Sequence, residues 1–192
     1  MNLSPTLHRW SRVQWERLVA SGCLDGEPVE LIDGKIPSKS AFVLMEMKTV
    51  AFVDANMRGV FDEANYWVRT QMPLRLEGDS QPEPDVAVVA GSFRDFPATV
   101  DIDSALLVIE VSESTLNYDR GDKASLYASA GIADYWIINL VDRQCEVHHQ
   151  PVTDASCRFG FRYADITVMK PNQTIRPVAA DDKPVRVADL LP

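Results

Sequence analysis

LLVIEVSESTLNYDRGDKASLYASAGIADYWIINL, residues 106–140 of the 192-residue chain, decides the fold. LLVIEV is a continuous apolar run interrupted only by Glu110, the pattern of a central strand covered on both faces. ADYWIINL is a second such run, and its Tyr135 and Trp136 read as packing residues. Between the two lie a polar connection, SESTLNYDRG, and a helical segment from about Asp122 to Ser129, closed by Gly131. Strand, helix and strand in so short a span predict a right-handed βαβ unit in an otherwise antiparallel sheet. A charge inside an apolar strand is costly unless it is paired, so Glu110 demands a partner. Asp119 and Lys123, spaced i, i+4 on one helical face, are the nearest candidates.

Working outward, VDR turns the second strand into a hairpin partner, CEVHHQ. Further strands are expected at FGFRYAD, near ITVM and in the closing VRVADLLP. Upstream, QPEPDVAVVAG places Asp85 where a loop becomes a buried strand, with Pro82 and Pro84 holding the approach extended. SFRDFPATVDIDS reads as a loop whose Phe93 and Phe96 fold back onto the core. NYWVRTQMPLRLEG predicts two strand pieces separated at Pro73. From about Ala41 to Phe61 a helix is expected, with Leu44, Met47, Ala51, Ala55 and Arg58 marking one face that Phe42, Val43, Val50, Phe52 and Val53 broaden, so burial on more than one side is expected. VELIDGKI is a hairpin across Asp33-Gly34 with Glu30 at its start, and Ser11 with Gln14 forms a capping box for a first short helix that stops at Gly22.

The formal net charge of −9 argues against broad, non-specific nucleic-acid binding, which runs on Lys and Arg contacts to phosphate. Cys23, Cys145 and Cys157 are scattered and odd in number, and His148 and His149 are adjacent, so neither a zinc site nor a disulfide framework is indicated. The N-terminus lacks the apolar core of a signal peptide and no apolar run approaches a membrane span, which makes the cytoplasm the expected location. No GxSxG and no Gly-rich phosphate loop occurs.

The carboxylates support a specific chemistry. Phosphodiester hydrolysis needs a Lewis acid and an activated water, and Mg²⁺ accepts two carboxylates plus a carbonyl while keeping several waters. Asp85 and Glu110 would be adjacent if their strands pair, with the Val111 carbonyl as a third ligand. Lys123 would orient or help deprotonate the water and offset developing negative charge. A buried Glu110–Lys123 salt bridge that merely fixes helix to sheet is the competing reading.

The succession PEPDVAVV, LLVIEVSESTLNYDRGDKASLYASAGIADYWIINL, with VELIDGK upstream, resembles the Uma-two family of bacterial proteins, assigned to the restriction-endonuclease-like PD-(D/E)xK superfamily. The likeness is specific from about Glu83 to Val147. It implies an α/β (α+β) fold, a mixed central sheet flanked by helices, in one domain over 1–192. The N-terminal helix and hairpin would take 1–40, the nuclease core about 41–150 and the C-terminal strands 151–192. By this resemblance Pro84-Asp85 is the "PD", Glu110 the second acid, and the lysine has moved from the position of Ser112 to Lys123, with Glu30 and Asp119 at recurrent family positions. It implies a Mg²⁺ (or Mn²⁺)-dependent endodeoxyribonuclease with DNA as substrate, acting as a homodimer or higher homo-oligomer. One departure stands out: many relatives carry a histidine near the start of the first long helix, where this chain has AFVLMEMK. The alternative is a nuclease-fold dimer that no longer cuts and serves as a DNA- or protein-binding regulatory module.

Overall fold

The computed structural model describes residues 7–38, 44–96 and 100–192. In chain order these contain α1 (Arg12–Ala20), α2 (Leu44–Val60), β1 (Tyr66–Thr70), β2 (Leu74–Arg75), β3 (Val86–Ala90), β4 (Val100–Asp101) and β5 (Ala105–Ser112). A helical segment follows, made of α3 (Leu116–Tyr118), a π-helical turn (Asp119–Lys123) and α4 (Ala124–Ser129). The rest is β6 (Asp134–Asn139), β7 (Gln144–Thr153), β8 (Phe161–Met169), β9 (Thr174–Ile175) and β10 (Val185–Arg186), with short 3₁₀ turns between.

Six strands form one mixed sheet in the order β1-β3-β5-β6-β7-β8. Within this sheet only β5 and β6 run parallel, with Glu110 opposite Ile137, and the helical segment is their crossover. Its other pairs are antiparallel. Side-chain alternation sorts the sheet into two faces. Ile109, Trp136 and Ile138 pack with Val53 and Met57 of α2 and with Val187 and Leu190 of the C-terminal segment. Val108, Tyr135 and Ile137 pack with Leu126, Tyr127 and Ala128 of α4. Each such fully buried side chain contributes about 1.5–3 kcal/mol of transfer free energy. Glu110 shares the α4 face with Val108, so the turn carrying Lys123 is the element it meets.

Local chemistry explains the outlying pieces. Ser11 caps α1: the Gln14 N–H donates to its hydroxyl, and its own N–H donates to the Gln14 side chain. Asp33 (φ 49°) and Gly34 (φ 67°) are both left-handed, as a two-residue hairpin turn of type I′ requires. A side chain at Gly34 would also meet the Trp10 carbonyl at 3.1 Å. The hairpin therefore forms as expected, closed by reciprocal bonds between Ile32 and Lys35.

Four expectations need correction. The Leu44–Met47–Ala51–Ala55–Arg58 face of α2 lies toward solvent, and the buried face is Glu46, Thr49, Val50, Val53, Met57 and Val60. Apolar residues occur all round this helix, so periodicity did not define its phase; the start expected at 41–43 lies outside the described residues. The helical segment between β5 and β6 begins at Leu116, six residues before Asp122, because the polar STLNYD continues as helix. Phe93 is 53% exposed, whereas Phe96 does stack on Trp67. FGFRYAD and ITVM are one strand, β8, rather than two. Among the described residues no helix is long and apolar enough to cross a membrane.

Candidate active site

The site forms where β3 stops short of β5. Their ladder ends at Val86 opposite Ile109, which leaves the β3 side of Val111 without a backbone partner. Asp85 fills the gap: the Val111 N–H donates to its Oδ2 at 2.8 Å. The Ser112 carbonyl accepts from Leu140 on the β6 side. Successive residues of a strand alternate in direction, so the Val111 carbonyl faces Asp85.

Glu110 points to the other partner set. Its Oε1 accepts from the Lys123 ammonium at 2.9 Å and from the Tyr127 hydroxyl at 2.8 Å. Lys123 also donates to Glu30 Oε2 at 3.0 Å, an oxygen that further accepts the Glu83 N–H. Glu30, Glu110 and Lys123 are all buried. Arg158 pairs with both Asp122 and Asp33, tying the hairpin that bears Glu30 to the turn that bears Lys123. At their exposure these outer pairs are worth at most about 1 kcal/mol each.

The π-helical turn sets the remaining geometry. Widening the helix by one residue brings Asp119 and Lys123 inward together, and such turns recur at functional positions. The Tyr135 hydroxyl donates to the Asp119 carbonyl, which sits in the widened turn. On the side chain of Asp119, Oδ2 accepts from the hydroxyls of Thr115 (2.6 Å) and Ser112 (2.8 Å).

Electrostatics follow from burying several acids around one cation. Burial pushes the Asp119 carboxyl up to about 7, helped by the charge of Glu110 and opposed by Lys123 and the two hydroxyls. Burial alone would push the Lys123 ammonium down, but Glu110, Glu30 and Asp119 outweigh it and hold the lysine well above its ordinary value. Lys123 is therefore a fixed positive charge at neutral pH, better suited to stabilising negative charge than to removing a proton. Burial, with the Glu110 charge next, also raises the Tyr127 hydroxyl, which stays a donor.

A cavity of about 80 Å³ opens on these groups, lined by Glu30, Glu46, Asp85, Glu110, Asp119 and Lys123, with Val111 and Tyr118 among the rest. Five carboxyl groups against one ammonium form a donor set of hard oxygens with an excess of negative charge, which suits Mg²⁺ or Mn²⁺ in kind. Lys123 lies between Glu30 and Glu110, and among the described residues no three such side chains already stand at ligating spacing.

All five residues singled out in the sequence thus converge on one cavity. Tyr127 and Glu46, neither of them singled out in the sequence, also belong to the site. Tyr127 lies one helical turn beyond Lys123, and Glu46 is an acid in an otherwise apolar stretch; both signals were present. Ser112, at the position the family's lysine has left, and Thr115 serve as donors to Asp119.

A family model named Uma2, described as "Putative restriction endonuclease", matches residues 23–180. The chain belongs to the Uma2 family. No curated protein matches it. A crystal structure described as "a putative nuclease belonging to DUF820 from Anabaena variabilis ATCC 29413" is similar, with a TM-score of 0.64 over 85% of this chain and 89% of that one. At 14% identity that likeness speaks for the fold. The six-stranded mixed sheet with flanking helices is the restriction-endonuclease-like architecture expected from the sequence of this Uma2 protein.

Proposed function

We propose that this protein is a metal-dependent endonuclease that hydrolyses DNA phosphodiester bonds at the cavity between β3, β5 and the π-helical turn. The observation that carries the reading is the convergence of Asp85, Glu110 and Lys123 from three separate elements on one acid-rich cavity. Mg²⁺ or Mn²⁺, held by Asp85, Glu110 and the Val111 carbonyl, would supply the Lewis acid and the activated water that this reaction needs. Lys123 places a permanent positive charge at the cavity wall, where it offsets charge developing on the phosphate. Glu30 holds the lysine in that orientation. Asp119, with its carboxyl near 7, is the group able to exchange a proton at neutral pH. Self-association belongs to the proposal, since α2 leaves Leu44, Met45 and Met47 exposed; light scattering reads it directly.

The test is incubation of supercoiled, linear and single-stranded DNA, and of RNA, with protein plus Mg²⁺ or Mn²⁺ and with chelator. Cation-dependent cutting of DNA is expected. One observation favours the runner-up, a non-cutting binding module: the Lys123 ammonium already satisfies Glu30 and one oxygen of Glu110, a self-sufficient ion cluster. DNA or protein binding without cleavage under every condition would select that reading.

A further inference from the structure

Resting on the cation site proposed above, we propose that Tyr127 is a positioning residue that reserves one oxygen of Glu110 for the cation. The two oxygens of this carboxylate differ sharply in their surroundings. Oε1 accepts both the Tyr127 hydroxyl and the Lys123 ammonium. Oε2 accepts nothing from any described residue, and the carboxylate lines the cavity.

The terminal torsion of a glutamate is broad, so a carboxylate does not choose its orientation unaided. Lys123 cannot supply that choice alone. An ammonium is a compact charge whose donors rotate freely, and this one is drawn toward Glu30 as well. A phenol hydroxyl on a rigid ring is directional. The ring itself is locked, with no exposed surface, against Tyr135 at a centroid distance of 5.2 Å. Packing would be served equally by phenylalanine; the hydroxyl is what only the carboxylate explains. Groups that orient a metal ligand in this way commonly change metal affinity by 10–100-fold when removed.

The test compares Mn²⁺ affinity, by calorimetry and electron paramagnetic resonance, in wild type, Tyr127→Phe and Tyr163→Phe. Tyr163 is a matched control: it is also buried and loses one hydroxyl bond, to the Ile132 carbonyl, without touching Glu110. Tyr127→Phe is expected to bind Mn²⁺ about 10–100-fold more weakly while still unfolding cooperatively, and Tyr163→Phe to bind as wild type does. Equal affinity in wild type and Tyr127→Phe overturns the role of Tyr127 and leaves the cation site standing. Failure of wild type to bind Mn²⁺ overturns the cation site and this role with it. Should Tyr127→Phe not fold, wild-type crystals soaked in Mn²⁺ decide. Anomalous density on Oε2, with the Tyr127 bond to Oε1 intact, supports the assignment; a cation on Oε1 refutes it.

Discussion

Replacing Lys123 with methionine removes the one cation in a buried cluster and nearly preserves side-chain length. The ammonium lies 2.9 Å from Glu110 and 3.0 Å from Glu30. At an effective dielectric constant of about 20, each contact is worth roughly 5 kcal/mol of Coulomb energy. Most of that sum is cancelled by the cost of desolvating the lysine. Measured losses on breaking a buried pair from one side settle near 3–5 kcal/mol, because the remaining charge is stranded. For a chain of this size that corresponds to a fall in Tm of about 6–20 °C. The assay is urea unfolding followed by tryptophan fluorescence, with an unchanged m-value required before midpoints are compared. The loss should be larger at pH 8 than at pH 5, because Asp119, held near 7, is protonated at pH 5 and then adds no negative charge beside Glu110. A loss below about 1 kcal/mol, equal at both pH values, is the signature of a screened surface pair and would refute the buried-cluster account.

Asp119 and His148 give opposite pH signatures. Asp119 is held near 7, above its value in an unfolded chain. Its contribution is therefore complete below about pH 4 and lost as pH rises through about 7, at most roughly 4 kcal/mol for a three-unit shift. Asp119→Asn can still accept from Ser112 and Thr115, so it should gain stability on wild type between pH 5 and pH 8; parallel urea titrations read the difference. His148 is buried with both ring nitrogens unpartnered, and burial pushes it down to about 4. Stability then falls as pH drops from about 6.5 toward 4, by roughly 3 kcal/mol. His148→Phe, which keeps a ring beside Tyr135 and Tyr163, should flatten that acid limb in a thermal-melt series.

The parts legible in the sequence are those whose signal is local. β5 and β6 announce themselves as apolar runs, the Asp33-Gly34 turn by its residue types, and Glu110 by being a charge where none is cheap. Asp85 was recognisable because two prolines fix the approach to its strand. The resemblance to the family then tied Lys123 to these acids. What stayed hidden depends on contacts between distant segments. Nothing near Glu30 signals that it meets Lys123, and a carboxylate at a hairpin start reads equally well as solvated. The phase of α2 was obscured because Leu44 and Met47, apolar but exposed, mimic a core stripe while buried Glu46 does not. The π-helical turn has no signature in spacing, since it adds a single residue to an otherwise helical pattern. Tyr127 looked like any buried ring on a helix, and only its hydroxyl distinguishes it.

Single-turnover cleavage of DNA by wild type, Asp85→Asn, Glu110→Gln and Lys123→Met, beside DNA binding by the same four proteins, tests the central claim most directly. The account predicts cation-dependent cutting by wild type and losses beyond about a hundredfold in each variant, with binding largely retained. Absence of cutting by wild type on DNA of any topology, with binding identical in all four, would contradict it.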